Sequence, residues 1–132
     1  MKPGSSDGKP SLVPRGPLGT FRALVWSLQG LRHAFRFESS FRLQVYLFAV
    51  LAPLAFVLGR GPVEKLLMFG SLVLVLAAEL LNSSIEAIAD KISPGFDETI
   101  GRVKDMGSAA VFVLMVNVVV CWALLLAPRI GM

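Results

Sequence analysis

Cysteine and histidine each occur once in this 132-residue chain, as Cys121 and His33. A single cysteine excludes a disulfide framework and a thiolate metal cluster within one chain. A lone histidine excludes a histidine cluster and an HExxH zinc helix. Charged residues are scarce, at 17% against about a quarter in an average soluble domain. The chain has neither a GxxxxGK[ST] phosphate loop nor the glycine-rich loop of protein kinases. Together these shortages exclude a disordered chain, a basic nucleic-acid-binding domain and an ordinary soluble enzyme.

What remains is apolar. Hydrophobic residues make up 55% of the chain, with a formal net charge of +4. The expected class is a small, one-domain, all-α integral membrane protein. A chain this short cannot enclose a large ligand alone, so an oligomer is expected.

Eleven of the first twenty residues are Gly, Pro or Ser, which predicts a disordered tail over 1–20. No apolar run follows its basic residues, so it does not read as a signal peptide. Over 21–40, Phe21, Leu24, Val25, Leu28, Leu31 and Phe35 recur at helical spacing, with Arg22, Gln29, Arg32, His33 and Arg36 between them. This predicts an amphipathic helix with a basic face, suited to an anionic membrane surface and kinked at Gly30. A soluble docking helix is the competing reading.

Three spans are expected after it, over about 41–58, 66–92 and 107–127, with Pro53 tolerated inside the first. A tight polar turn is expected over 59–65 and a polar loop over 93–106. The tail and surface helix, through Arg42, carry seven Lys or Arg residues; Lys91 and the 93–106 loop add three, and the opposite side has only Arg60, Lys65 and Arg129. The positive-inside rule therefore places the N-terminus and the second loop in the cytoplasm. Orientation and anionic lipid account for the positive charge, and no nucleic-acid partner is needed.

The second span carries the chemistry. Glu79, Asn82, Glu86 and Asp90 are spaced three, four and four residues apart, so they share one helix face, with Ser83 beside them. Counted from Leu66, Glu79 lies about 20 Å along the helix, Glu86 about 30 Å and Asp90 about 36 Å. Glu79 thus falls inside the apolar layer near its cytoplasmic edge, and the other two acids fall at headgroup level. A carboxylate within a span is costly and is read first as functional. Such a stripe suits oxygen ligation of a hard cation such as Mg²⁺ and general-base chemistry. Hydrogen bonding between helices is the competing reading for Glu79 and Asn82.

Glu38 falls at the depth of Glu86, as a second oxygen donor to a metal or as an ion-pair partner of Arg36 or Arg42. Lys104 and Asp105 precede Gly107, Ser108, Ala109 and Ala110, small residues that let helices approach closely. Lys104 would hold phosphate oxygens as a point charge, positioned by Asp105. The alternative is a positive-inside anchor beside a helix-start acid. Trp26 and Trp122 read as interface anchors, and Asn117 as a helix–helix hydrogen bond.

The string AELLNSSIEAIADKI (78–92), followed by GRVKDMGSAAV (101–111), resembles the prokaryotic diacylglycerol kinase family of small integral membrane enzymes. The resemblance covers about residues 21–127. It implies a homotrimeric bundle, each chain having a surface helix and three spans, in the bacterial inner membrane. It also implies transfer of the ATP γ-phosphoryl group to the free hydroxyl of diacylglycerol, giving phosphatidic acid.

Position by position, the resemblance makes Glu79 the general base and Glu38 and Glu86 the Mg²⁺ ligands at an ATP site. Asn82 would orient the site. Lys104 and Asp105 would contact ATP, as would the loop Gly95, Phe96 and Asp97, and Ser108 would lie near the lipid. The chain departs from the family at Gly19, Trp26, Gln29 and Gln44; Trp26 would stack on adenine without supplying a hydroxyl. Undecaprenol kinase on the same scaffold is the alternative enzyme. A small cation-coupled transporter, with an intramembrane Glu as its coupling site, is the alternative of another class.

Overall fold

The computed structural model describes residues 16–131, and every regular element among them is a helix. Most of the expected tail, residues 1–15, lies outside the described residues. Two units divide the chain, one ending at Arg32 and the other beginning at His33.

Helix α1 (Gly16–Phe37) begins five residues before the expected start. It passes through Gly30 without a break, because one glycine costs a helix only about 1 kcal/mol. In the first unit Leu18, Phe21, Leu24, Leu28 and Leu31 are all exposed, which leaves the predicted apolar stripe open.

In the second unit, α1 ends at a single extended residue, Glu38 (φ −106°, ψ 107°), before α2 (Ser39–Leu58) begins. The predicted surface helix to residue 40 therefore ends three residues early, at Phe37. The Arg42 guanidinium satisfies the open end of α1, donating to the carbonyls of Phe35 (3.2 Å) and Arg36 (2.7 Å). Those terminal carbonyls carry the negative end of the helix dipole, so a cation is favourable there. Pro53 stays within α2 without ending it.

Helix α3 (Gly61–Ile92) starts earlier than expected. Only Gly59 and Arg60 are non-helical, where a turn over 59–65 was expected. Gly61 takes φ +76°, Pro62 occupies the first turn, and the Glu64 carboxylate accepts from the Arg60 N–H at 2.7 Å. Pro is preorganised for a helix start and the acid fills an orphan donor, so polar residues here mark a cap.

The expected 93–106 loop is also corrected. Helix α4 (Glu98–Leu126) begins directly after Asp97, whose side chain accepts from the Ile100 N–H at 2.9 Å. Glu98 and Arg102 pair along its first turn at 2.5 Å. Capping and i,i+4 pairing support a polar helical extension beyond the apolar span. A short 3-10 helix (Ala127–Ile130) follows.

Three helices are long and apolar enough to cross a membrane: Ser39–Leu58, Gly61–Ile92 and Glu98–Ile130. Helices α2 and α4 both pack on α3, which is the central element. The buried stripe of α3 runs Met68, Ser71, Leu72, Val75, Ala78, Glu79, Asn82 and Ser83. These steps of three and four residues keep one face inward. Trp122 of α4 pins the N-terminal half of α3 by donating to the Met68 carbonyl at 3.3 Å. At the same end, Arg129 donates to the Leu58 carbonyl and pairs with Glu64, tying the 3-10 segment to the α2–α3 turn.

Candidate active site

The polar residues of the central helix occupy the C-terminal part of its buried stripe. Glu79 is only 5% exposed and Asn82 only 7%, whereas Glu86 is half-buried and Asp90 exposed. The stripe thus grades from interior to surface over about 17 Å. None of the three ion pairs among the described residues includes Glu79, Glu86 or Glu38. Glu79 and Glu86 share one face of α3, and carboxylates left without a paired cation make a region of negative potential, which favours a cationic ligand.

Glu38 lies in the break between α1 and α2. The alternative of an ion pair with Arg36 or Arg42 is not what the structure contains, because Arg42 is committed to the α1 carbonyls. Glu38 spends its backbone on continuity instead: its N–H bonds to the Ala34 carbonyl at 2.8 Å, and its carbonyl accepts from Arg42 N–H at 3.0 Å. Its side chain makes no cap bond.

Asn82 links the interior to the surface. Its Nδ2 donates to Glu86 Oε1 at 3.3 Å, one turn along the helix. Its Oδ1 is buried and has no hydrogen-bond partner.

Lys104 of α4 reaches back to α3, donating from Nζ to Asp90 Oδ1 at 2.7 Å. Sequence reasoning gave Asp105 the task of positioning Lys104; the structure gives it to Asp90. Consecutive residues on a helix diverge by about 100°, so Asp105 is exposed on another face. Asp90 already stood in the three-four-four stripe of α3, and that was the available signal.

Ser108 is exposed on α4 beside buried Gly107. In the α3–α4 loop, Ser93 Oγ donates to the Gly95 carbonyl at 3.2 Å and Phe96 is fully exposed. Asp97 serves as the α4 cap, a role its sequence position did not reveal. Trp26 is exposed on α1, in the unit ending at Arg32. Asn117 is exposed on α4, so the expected helix–helix hydrogen bond is not made among the described residues.

Comparison with known proteins bears on this arrangement. A sequence model of the family described as prokaryotic diacylglycerol kinase matches residues 25–126. The chain is 45% identical over 97 residues to a diacylglycerol kinase of Haemophilus influenzae, covering 74% of this chain and 82% of that protein. It is 45% identical over 104 residues to one of Pseudomonas aeruginosa, covering 79% and 85%. It is 36% identical over 110 residues to that of Escherichia coli K12, covering 83% and 90%. The family match spans the acidic stripe, the loop after it and the Lys104–Asp105 pair.

Proposed function

This chain belongs to the prokaryotic diacylglycerol kinase family, and on that premise we propose that it transfers the γ-phosphoryl group of ATP to the hydroxyl of diacylglycerol, giving phosphatidic acid. It is a bacterial membrane protein with three spanning helices, and its class is lipid kinase. The transporter alternative therefore falls. The observation that carries the proposal is the graded stripe of α3: one acid in the apolar interior and another nearer the surface, with Asn82 between them along the helix and bonded to Glu86.

A lipid hydroxyl stays within the bilayer and a nucleotide stays in water, so the reaction needs a site spanning both. Glu79 would take the proton of the hydroxyl as its oxygen attacks the γ-phosphorus and the bond to ADP breaks. Ser108 would lie near the lipid headgroup. Lys104 would meet a phosphate oxygen as a point charge, with Asp90 holding it and Asp105 beside it. The loop Gly95, Phe96 and Asp97 would contact the nucleotide.

The donor set fits Mg²⁺. No group of three His, Cys, Asp or Glu side chains forms a metal cage among the described residues, and Mg²⁺ is ordinarily held by one or two carboxylates plus substrate phosphates. Glu38 and Glu86 are two half-buried carboxylates with no ion-pair partner among the described residues. Together with the nucleotide they would hold the ion, which neutralises phosphate charge in the transition state.

The exposed apolar stripe of α1 would rest on the inner face of the cytoplasmic membrane, with the α3–α4 loop on the same side. We further assign a homotrimer. Asp105, Ser108 and Asn117 all face outward from the second unit, where neighbouring copies would meet them.

The test is transfer of radiolabelled phosphate from ATP by the detergent-solubilised protein, with diacylglycerol and undecaprenol offered separately, with and without Mg²⁺. Mg²⁺-dependent labelling of diacylglycerol alone is expected. Labelling of undecaprenol alone would retain the mechanism and change the acceptor. Labelling of neither by an intact oligomer would overturn the reading.

A further inference from the structure

We propose that Gly107 is a positioning residue for the Glu86 carboxylate, acting through Asn82. The inference rests on the proposed reading of Glu86 as a ligand of metal and nucleotide, and it concerns what holds that ligand in place.

Glycine inside a helix costs about 1 kcal/mol relative to alanine, so a helical glycine at a packed position calls for a reason. Gly30, Gly70 and Gly101 are also helical, and a Cβ added at any of them would meet nothing within 4 Å. Gly107 differs. A Cβ there would stand 2.5 Å from Asn82 Oδ1 and 3.5 Å from both Asn82 Cγ and Ile85 Cδ1. A carbon and an oxygen of two separate residues do not approach to 2.5 Å, so the amide or the helix would have to move. Gly107 is also one of only two buried positions on α4, the other being Val111. The missing side chain of α4 is the slot in which the amide of α3 lies.

The orientation of that amide follows from charge. Its Nδ2 donates to Glu86 Oε1 at 3.3 Å, and its Oδ1 points into the slot without a partner. A buried carbonyl without a donor is unfavourable, and flipping the amide would not cure it. The flip would set Oδ1 against the Glu86 carboxylate and lose the existing bond. The side chain is therefore held from two directions, by the acid one turn along and by the open space at Gly107. Glu86 has three side-chain torsions and is half-exposed. Its bond to a buried, wedged amide removes part of that freedom and presets the carboxylate for its ligand.

Gly107→Ala should push the amide out of its slot and release Glu86. The experiment uses the full chain in detergent micelles with four variants: Gly107→Ala, Asn82→Ala, the double substitution and Glu86→Ala. Mn²⁺ binding is read by electron paramagnetic resonance in the presence of a non-hydrolysable ATP analogue, with KM for Mg-ATP and kcat measured alongside. Gly107→Ala and Asn82→Ala should each weaken Mn²⁺ binding about three- to tenfold. Gly107→Ala should add less than twofold in the Asn82→Ala background, because no amide is left to displace.

Additive losses would overturn the proposal, as would unchanged Mn²⁺ binding in a folded Gly107→Ala protein while Glu86→Ala weakens it. If Glu86→Ala itself leaves Mn²⁺ binding intact, the ligand reading falls and takes this inference with it. If Gly107→Ala does not fold, the double variant decides. Its recovery of fold, with the metal affinity of Asn82→Ala, supports the slot; its failure to fold refutes it.

Discussion

Lys104 of α4 and Asp90 of α3 are joined by a 2.7 Å ion pair, so the cation assigned to a phosphate is anchored on the helix that carries Glu79 and Glu86. Both partners reach water, with side-chain exposures of 38% and 64%. Such a pair contributes little to stability; its value is in where it leaves the ammonium. Asp90→Asn is expected to raise KM for ATP about two- to fivefold with kcat and thermal midpoint nearly unchanged. Initial-rate kinetics against ATP check this, and a loss of kcat at unchanged KM would contradict it.

Glu79 is the acid most removed from water, and the proposed reaction asks it for one proton transfer. Glu79→Gln keeps size and hydrogen-bonding capacity while removing the base. Turnover is expected to fall by about 10²–10⁴, with binding of Mg-ATP preserved in an equilibrium assay. Retained turnover would remove Glu79 from the role of base.

Glu86→Ala should act on the other side of the stripe. It removes an oxygen donor and also the acceptor of the Asn82 amide. The expected result is a loss of about tenfold or more in Mg-nucleotide affinity. Isothermal titration with a non-hydrolysable nucleotide is the check, and an unchanged affinity would argue against ligation.

The opposite end of the molecule should respond in stability without a change in chemistry. A Cβ at Gly59 would lie 2.8 Å from the Ala55 carbonyl and 3.0 Å from the Lys65 nitrogen, both backbone atoms. Gly59→Ala is expected to cost about 1–3 kcal/mol by overpacking. Arg129→Ala, which unties the Leu58 carbonyl and Glu64, should also lower the thermal midpoint. Denaturation in detergent measures both. Below the transition, activity should stay within about twofold of the parent; a large kinetic defect in a folded protein would show that the two ends are coupled.

The three spans and the acidic face of the second were legible because they depend on local properties. Apolar runs of sufficient length seek the bilayer wherever they occur, and the spacing of Glu79, Asn82, Glu86 and Asp90 puts them on one face of any α-helix. Element boundaries were less legible. Polar residues at 61–65 and 98–106 were read as connections, whereas they form the first turns of α3 and α4. Polarity reports exposure to water, and a helix that emerges from the apolar layer is polar and helical at once. The caps at Glu64 and Asp97 marked those starts.

The sequence by itself determined the helical class, the membrane habitat and the stripe of acids, since each follows from composition and from the 3.6-residue period. Only the tertiary structure decided that Asp90, not Asp105, holds Lys104, that Arg42 closes the end of α1 and leaves Glu38 without an ion-pair partner, and that Gly107 makes room for Asn82. Each of these joins residues whose separation along the chain carries no signal of their contact. The Arg42 contact depends on the break at Glu38 between α1 and α2; the other two form because α3 and α4 pack at one register, and packing depends on how two complete surfaces fit together.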